Sequence, residues 1–441
     1  MAQGFFKSGG IIITDIILRF LGGCRTIGGS GVLVENDDNN RGVLFDYGVY
    51  LFQNGRRRSS FPEHVSPKNL DAILLSHAHI DHSGGLPLFY STGNPPLFAT
   101  SATLALTELL ISDMLRITGK YLPFEAQELG RMMHYATPLD YDKWMQSNSF
   151  RFKHLNAGHI PGSSLILLEG NGKRILYTGD FNDLDTALLS GASLFEEELD
   201  AIIIESTYSQ KLRSERQKIE LELIKATNSI LEENGTICIP AFSVGRSQEI
   251  MCILTKHDVD AFCIVDGMAR AANQIITANP EYVRDYNLFL DALKKIHSVR
   301  NKKDRDRALS KEVPSVIIAP AGMLTGGSVK YYIKKLYDDP ANGLFFVSFQ
   351  VEGTPGARIL ETGQFQYKKK FVDIEAQIKH FELSSHADRT GLLELLKNIQ
   401  GSPKVFCMHG DNDSCTIFAQ EIIDNLGFDA VAPNVGDTFK I

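Results

Sequence analysis

His77-Ala78-His79-Ile80-Asp81-His82 sets three imidazoles and one carboxylate within six residues, with Ser83-Gly84-Gly85 directly after. Neutral imidazole nitrogen and carboxylate oxygen are the donors that borderline zinc favours, roughly four to five of them to an ion. Side chains in so short a run cannot all face one way. A tight turn would aim His77 and His79 at one ion, and Asp81 and His82 at a second. Two ions need more donors than this loop owns, and other stretches offer them. Gly158-His159-Ile160-Pro161-Gly162-Ser163 holds an isolated imidazole in a glycine-flanked loop, Thr178-Gly179-Asp180 a carboxylate, and His409 a further imidazole. A single buried histidine is more often a hydrogen-bonded core residue; these stretches together read as a metal centre.

Such donors need a scaffold, and four functional positions stand where an apolar run ends. Residues 72–75 precede His77, 175–177 precede Asp180, 201–204 precede Glu205, and 405–408 precede His409. Buried strands with functional residues at their carboxyl ends build sites in open sheets, so these runs are expected as strands that share one cleft. Ile219, Leu223, Ala226 and Ile230 recur at helical spacing and predict a helix over about 212–234, stopped by Gly235. A second αβ section follows, with strands at 236–239, 261–265 and 316–319 and helices at 245–256 and 328–336. The charged stretch 294–311, holding Arg300, Lys302, Lys303, Arg305 and Arg307, reads either as a solvated helix face or as a basic wall for a phosphate backbone. The run 405–408, followed by a helix at about 414–425, repeats the strand-then-donor grammar of the first half. One domain split by an inserted second accounts for this: residues 1–208 and 371–441 around 209–370.

The 441 residues, 43% of them hydrophobic, suffice for two or three domains. A net charge of −8 carries no general signature of polyanion binding, so any nucleic acid must meet a local basic surface. Cys24, Cys238, Cys252, Cys263, Cys407 and Cys415 form no C-x-x-C pair, which argues against zinc knuckles and disulfide scaffolds and for a reducing cytoplasm. The apolar stretch 11–20 is interrupted by Asp15 and Arg19 and falls short of the roughly 18 residues of a spanning helix. It reads as the first core strand, with no membrane span expected.

In their order along the chain, the first motif, His159, Asp180 and Glu205-Ser206-Thr207-Tyr208 resemble the metallo-β-lactamase superfamily, specifically its β-CASP branch of nucleic-acid-processing enzymes. The resemblance runs nearly end to end. It takes in residues 239–249, from Ile239-Pro240-Ala241-Phe242 through Ser243 and Arg246, and Ala321-Gly322-Met323-Leu324-Thr325-Gly326-Gly327. Further on it includes 349–354, Ser384-Ser385-His386-Ala387-Asp388 and Met408-His409-Gly410-Asp411. Glu205-Ser206-Thr207-Tyr208 and the loop around His159 are similar to the cleavage and polyadenylation specificity factor nucleases and their archaeal and bacterial relatives, where bacterial RNase J typically has Asp-Ser-Thr-Asn. Ser384-Ser385 departs from the more usual Ser-Ala or Ser-Gly, and no RNA-binding extension is expected at either end.

The resemblance implies an α/β architecture, an αββα sandwich with an inserted α/β β-CASP domain. It also implies two zinc ions, replaceable by manganese: His77, His79 and His159 on one, Asp81, His82 and His409 on the other, and Asp180 bridging. His386 would supply the proton for the leaving oxygen, with Glu205 orienting and charging it. Ser243, Arg246 and the glycines Gly322, Gly326 and Gly327 are candidate phosphate contacts. The expected substrate is single-stranded RNA, cut 5′→3′ from an end. An endonuclease of the 3′-end-processing type, a silent RNA-binding subunit, a DNA-repair enzyme and a small-molecule hydrolase are the rivals. A homodimer is a further expectation.

Overall fold

Two seven-stranded sheets lie face to face, and a third sheet of six strands is built from the middle of the chain. The computed structural model describes residues 15–37, 41–53, 56–193, 195–310 and 313–441. The first strand is Ile16–Gly22; residues 11–14 of the expected one lie outside the described residues.

In the first sheet the strands run Thr438–Lys440, Ile16–Gly22, Gly31–Asn36, Gly42–Phe45, Leu70–Leu74, Leu97–Thr100 and Ala136–Leu139. In the second they run Ala430–Val431, Lys404–Met408, Ala201–Glu205, Lys173–Tyr177, Ser164–Gly170, Phe150–Asn156 and Met145–Ser147. Strands buried on both faces read as continuous apolar runs, and alternate residues go to opposite sides. Val43, Phe45 and Leu74 thus enter the space between the sheets with Phe152, Ile175 and Phe406. Phe45 stacks on Tyr177 across it at 5.0 Å between ring centroids. On the outer faces Leu44 and Ile73 pack towards Leu104 and Ile111 of the helix Ser101–Thr118, and Ile202 and Val405 towards the helices Arg389–Asn398 and Asn412–Leu426. This is the αββα sandwich.

The split is visible in one parallel ladder, where Ala201–Glu205 pairs with Lys404–Met408 in register, Glu205 opposite Met408. Between these strands the chain leaves to form the third sheet. Its order is Ile296–Val299, Phe262–Asp266, Ser315–Ala319, Thr236–Pro240, Gly343–Phe346, Gln377–His380, all parallel. Helices cover both faces, as parallel sheets require. The last strand falls after residue 370, where the inserted domain was expected to end.

Two expectations change. The helix expected over 212–234 is Arg216–Glu232, because Arg213 is held by its side chain to Asp183 and by its backbone N–H to Asp388 rather than joining a helical turn. The stretch 294–311 is not one helix: Lys294 and Lys295 close the helix Tyr286–Lys295, Ile296–Val299 is an edge strand, and Lys302–Leu309 is a separate helix. Arg305 there is committed to the buried Asp266, Nε at 2.5 Å and Nη2 at 3.0 Å. Lys311 lies outside the described residues. No helix among the described residues is long and apolar enough to cross a membrane.

Candidate metal centre

The strand Leu70–Leu74 runs into Leu75, Ser76 and His77, and a one-turn helix, Ile80–Ser83, follows His79. This loop is pinned from below by Asp46, a fully buried carboxylate just past the strand Gly42–Phe45. Asp46 accepts the Ser76 N–H at 2.7 Å, the Ser76 hydroxyl at 2.6 Å and the Tyr177 hydroxyl at 2.8 Å, and its Oδ2 lies 2.7 Å from His82 Nδ1. With its proton committed to Asp46, Ser76 Oγ accepts from His77 Nδ1 at 3.0 Å. His77 and His82 therefore carry their N–H on Nδ1 and present the Nε2 lone pair. His159 does the same, donating from Nδ1 to the Ser385 carbonyl at 2.7 Å. Asp46 escaped the sequence reading although its signal was there: residues 43–45 are another apolar run ending in a carboxylate.

The seven expected donors are brought together around Asp180. Its Oδ2 lies 3.6 Å from His77 Nε2 and 3.8 Å from His159 Nε2, and His79 Nδ1 is 3.1 Å from His159 Nε2. Its Oδ1 lies 3.4 Å from His82 Nε2 and 3.0 Å from His409 Nδ1. His409 Nε2 is 3.2 Å from His82 Nε2 and 3.5 Å from Asp81 Oδ2. His77, His79, His159 and Asp180 thus form one cluster with donor atoms mutually within 4.8 Å, and Asp81, His82 and His409 a second.

The chemistry of these atoms fits a cation. His77 Nε2 and His79 Nε2 are buried without a hydrogen-bond partner, each a cost of about 1–3 kcal/mol if nothing compensates. Burial pushes His79 below the ordinary histidine pKa and His77 and His159 well below it, which keeps them in the neutral, ligating form. Burial opposes charge on His82 and His409 too, but Asp180, with Asp46 beside the first and Asp81 beside the second, raises His82 to about 10 and His409 well above its usual value. The potential here favours positive charge. These side chains make a metal-binding site.

Beside it, Glu205 ends its strand with Oε1 accepting the Phe181 N–H at 2.8 Å, and His386 Nδ1 lies 2.9 Å from Oε2. Burial disfavours the imidazolium, yet Glu205 and Asp180 outweigh it and raise the His386 pKa. With Nδ1 engaged, Nε2 is the nitrogen that can reach a bound molecule. The His386 ring is 4.6 Å from that of His159, and its side chain is 20% exposed. Asp388 holds this loop by capping the helix Arg389–Asn398 through the Gly391 N–H at 3.0 Å and by accepting the Arg213 N–H at 2.8 Å.

The inserted domain roofs the centre. Gly245 has φ 80°, and a Cβ there would stand 2.8 Å from Ile160 Cγ2 in the His159 loop, so this approach needs glycine. Val244 shares a small core with Ala78 and Ile160. Arg246 is buried at the start of the helix Arg246–Lys256; its Nη2 donates to Ser385 Oγ at 3.2 Å, and its Nη1 is 3.5 Å from Glu249 Oε2. Its Nε and Nη1 have no hydrogen-bond acceptor, and burial lowers its pKa to about 10. Ser243 is buried three residues before it. Gly322 is buried, with its Cβ position 3.3 Å from Phe242 N, whereas Gly326 opens on nothing within 4 Å and Gly327 is exposed. The loop of these three glycines therefore abuts the segment bearing Ser243, and the Phe242 ring lies 6.3 Å from that of His79.

Three family models match in succession: metallo-β-lactamase superfamily over residues 26–182, β-CASP domain over 247–359, and zinc-dependent metallo-hydrolase RNA specificity domain over 372–433. The chain is 33% identical over 430 residues to RNase aCSPSF2 of Saccharolobus solfataricus, covering 97% of this chain and 86% of that one. It is 32% identical over 438 residues to the probable RNase MJ4 of Methanocaldococcus jannaschii, covering 97% and 100%. To the transcription termination factor FttA of Pyrococcus abyssi it is 34% identical over 479 residues, covering 99% and 72%. A crystal structure of a protein of unknown function from Enterococcus faecalis V583 superposes with a TM-score of 0.65 at 15% identity over 97% of this chain and 100% of that one, a likeness of fold alone.

Proposed function

The chain belongs to the metallo-β-lactamase superfamily, in the branch that carries a β-CASP domain, and from that membership we propose that it is a metal-dependent ribonuclease holding two zinc ions and degrading single-stranded RNA in the 5′→3′ direction. Relatives named as RNases and a matched segment described as an RNA specificity domain support the substrate class. The observation that carries the reading is Asp180, which faces imidazoles of both donor clusters with its two oxygens.

His77, His79 and His159 would hold one ion, Asp81, His82 and His409 the other, and Asp180 both; manganese would serve in place of zinc, since such a donor set discriminates poorly. When bound, the ions supply a water acidified to near neutrality and positive charge against the phosphate. The remaining work belongs to side chains. His386, kept charged by Glu205, gives a proton from Nε2 to the departing oxygen. Asp46 fixes the rings of His82 and, through Ser76, of His77.

Direction follows from Arg246. A buried guanidinium with two nitrogens lacking a hydrogen-bond acceptor, next to Ser385 and three residues from Ser243, suits a terminal phosphate. Backbone N–H groups of the loop at Gly322, Gly326 and Gly327 would add to that grip. A phosphate held there sets the first linkage over the centre.

The test is 5′-labelled single-stranded RNA with and without chelator, beside labelled DNA and a circular RNA. Labelled mononucleotide from the earliest times, abolished by chelator, is the expected result. Early internal fragments, with the circle cut as readily, would make it an endonuclease, and indifference to chelator would end the metal mechanism.

A further inference from the structure

The hairpin Gln364–Tyr367 and Lys370–Asp373 closes on a two-residue turn, Lys368-Lys369, with Tyr367 opposite Lys370. Both turn residues have positive φ, 46° and 69°. Two-residue turns of this hand suit the strand twist but favour Asn-Gly, because a Cβ is strained there. Lysine at both places sets local stability against some other gain, and the surroundings indicate which.

The turn presents three exposed lysines in succession, Lys368, Lys369 and Lys370, in a chain of net charge −8. Lys368 Nζ is 5.2 Å from the Tyr367 ring centroid, and Lys334 Nζ, from the helix Val329–Leu336, is 5.9 Å from the same ring. Arg358 lies over the half-exposed Phe371 at 4.5 Å. Among the described residues Lys334, Arg358, Lys368, Lys369 and Lys370 form no ion pair with a carboxylate. The acids of the hairpin sit at its base, where Asp373 accepts from Gln364, and Asp338 and Asp339 follow the helix end. Charge is therefore segregated, with cations at the tip.

These cations connect to the metal centre. Lys330 and Lys334, four residues apart, share a helix face. Lys330 Nζ donates to the Thr325 carbonyl at 3.2 Å, in the glycine loop. That loop abuts Phe242 through Gly322, and the Phe242 ring, 37% exposed, is 6.3 Å from His79. Cations thus run from the mouth of the site to the hairpin tip with exposed aromatic rings among them, the composition that follows a single strand's phosphates while its bases stack.

We propose that Lys330, Lys334 and the Lys368–Lys370 turn form a second RNA-binding surface, a track that holds the single strand away from the scissile linkage. It rests on the ribonuclease reading and adds to it a requirement for substrate length.

The experiment uses the full chain, metal-loaded for cleavage and chelated for binding, with single-stranded RNA of about 4 and about 20 nucleotides. Its variant is Lys368→Asn with Lys369→Gly, which removes two charges while giving the turn its favoured residues, so thermal stability should hold or rise. Long-RNA affinity should fall about tenfold, with the slope of log affinity against log salt reduced by about 1.4, that is two contacts at about 0.7 each. Cleavage of the short RNA should be unchanged. Wild-type affinity and slope in a variant that still cleaves would overturn the track alone, and leave the hairpin to a protein partner. Binding that responds to the variant in a protein that cleaves nothing would keep the track and remove the ribonuclease; a wild-type chain that binds no long RNA would remove both.

Discussion

Asp46 Oδ2 lies 2.7 Å from His82 Nδ1, and the same oxygen also accepts the hydroxyls of Ser76 and Tyr177. One carboxylate, itself close enough to His77 and His82 to group with their donor atoms, thereby decides which nitrogen these two histidines present. Its removal should act on the metals before it acts on the fold. Asp46→Asn is expected to weaken metal binding about 10–100-fold. Metal content after dialysis against graded chelator measures this; unchanged retention would mean that the His82 and His77 rings are held by packing alone.

Binding and proton transfer should separate by residue. Asp81→Ala and His82→Ala are expected to abolish cleavage with loss of metal. His386→Ala should keep full metal content and RNA affinity while its rate falls about 10²–10⁴-fold. Single-turnover rates beside elemental analysis distinguish the two classes. A fully active His386→Ala would reduce the Glu205 contact to a structural ion pair.

Most of these residues were legible in the sequence because they follow a strand buried on both faces, which writes itself as an unbroken apolar run: Ile202, Ile203 and Ile204 before Glu205 are all fully buried, whereas His159 follows Phe150–Asn156, broken by the exposed Arg151, and was legible only from its glycine-flanked loop. Where the apolar run is short or absent, the reading stops. Gln377–His380 joins the third sheet in parallel with Gly343–Phe346, yet Gln-Ile-Lys-His has little apolar pattern, and the pairing is tertiary. Ile296–Val299 was hidden in a charged stretch for the same reason, being an edge strand with only Val299 buried. Lys368 and Lys369 carry no turn signal either, since turn chemistry predicts Asn and Gly where the chain has lysine.

Domain closure over the centre depends on Gly245. Its φ of 80° and the 2.8 Å from a Cβ position to Ile160 Cγ2 mean that Gly245→Ala meets both backbone strain and a clash across the interface. A loss of about 1–3 kcal/mol is expected, seen as a lower thermal midpoint. Ile160→Ala deletes the Cγ2 that is struck, so Gly245→Ala with Ile160→Ala should cost less than the sum of the two single changes. Equal stability of wild type and single variant would show that the two domains do not close as described.

Arg246 bears on direction. Its Nη2 reaches Ser385 Oγ at 3.2 Å, while Nε and Nη1 have no acceptor, so the protein leaves donors of a permanent cation unspent in a buried place. A terminal monophosphate would accept from one of them, and a 5′-hydroxyl offers no anion to hold. Wild type should therefore degrade 5′-monophosphorylated RNA faster than 5′-hydroxyl or 5′-triphosphate RNA. Arg246→Ala should remove the preference by slowing the monophosphate substrate alone, and Arg246→Lys should restore little of it, because a single ammonium cannot hold Ser385 and the phosphate in the directions that the planar guanidinium sets. The fold should survive the change: Glu249, the carboxylate that Arg246 faces, is also paired with Arg216, so truncation does not strand a buried charge. Initial rates on the three end-labelled substrates decide the matter. A preference that persists in Arg246→Ala would move the phosphate grip to the glycine loop, and no preference in wild type would detach cleavage from the 5′ end.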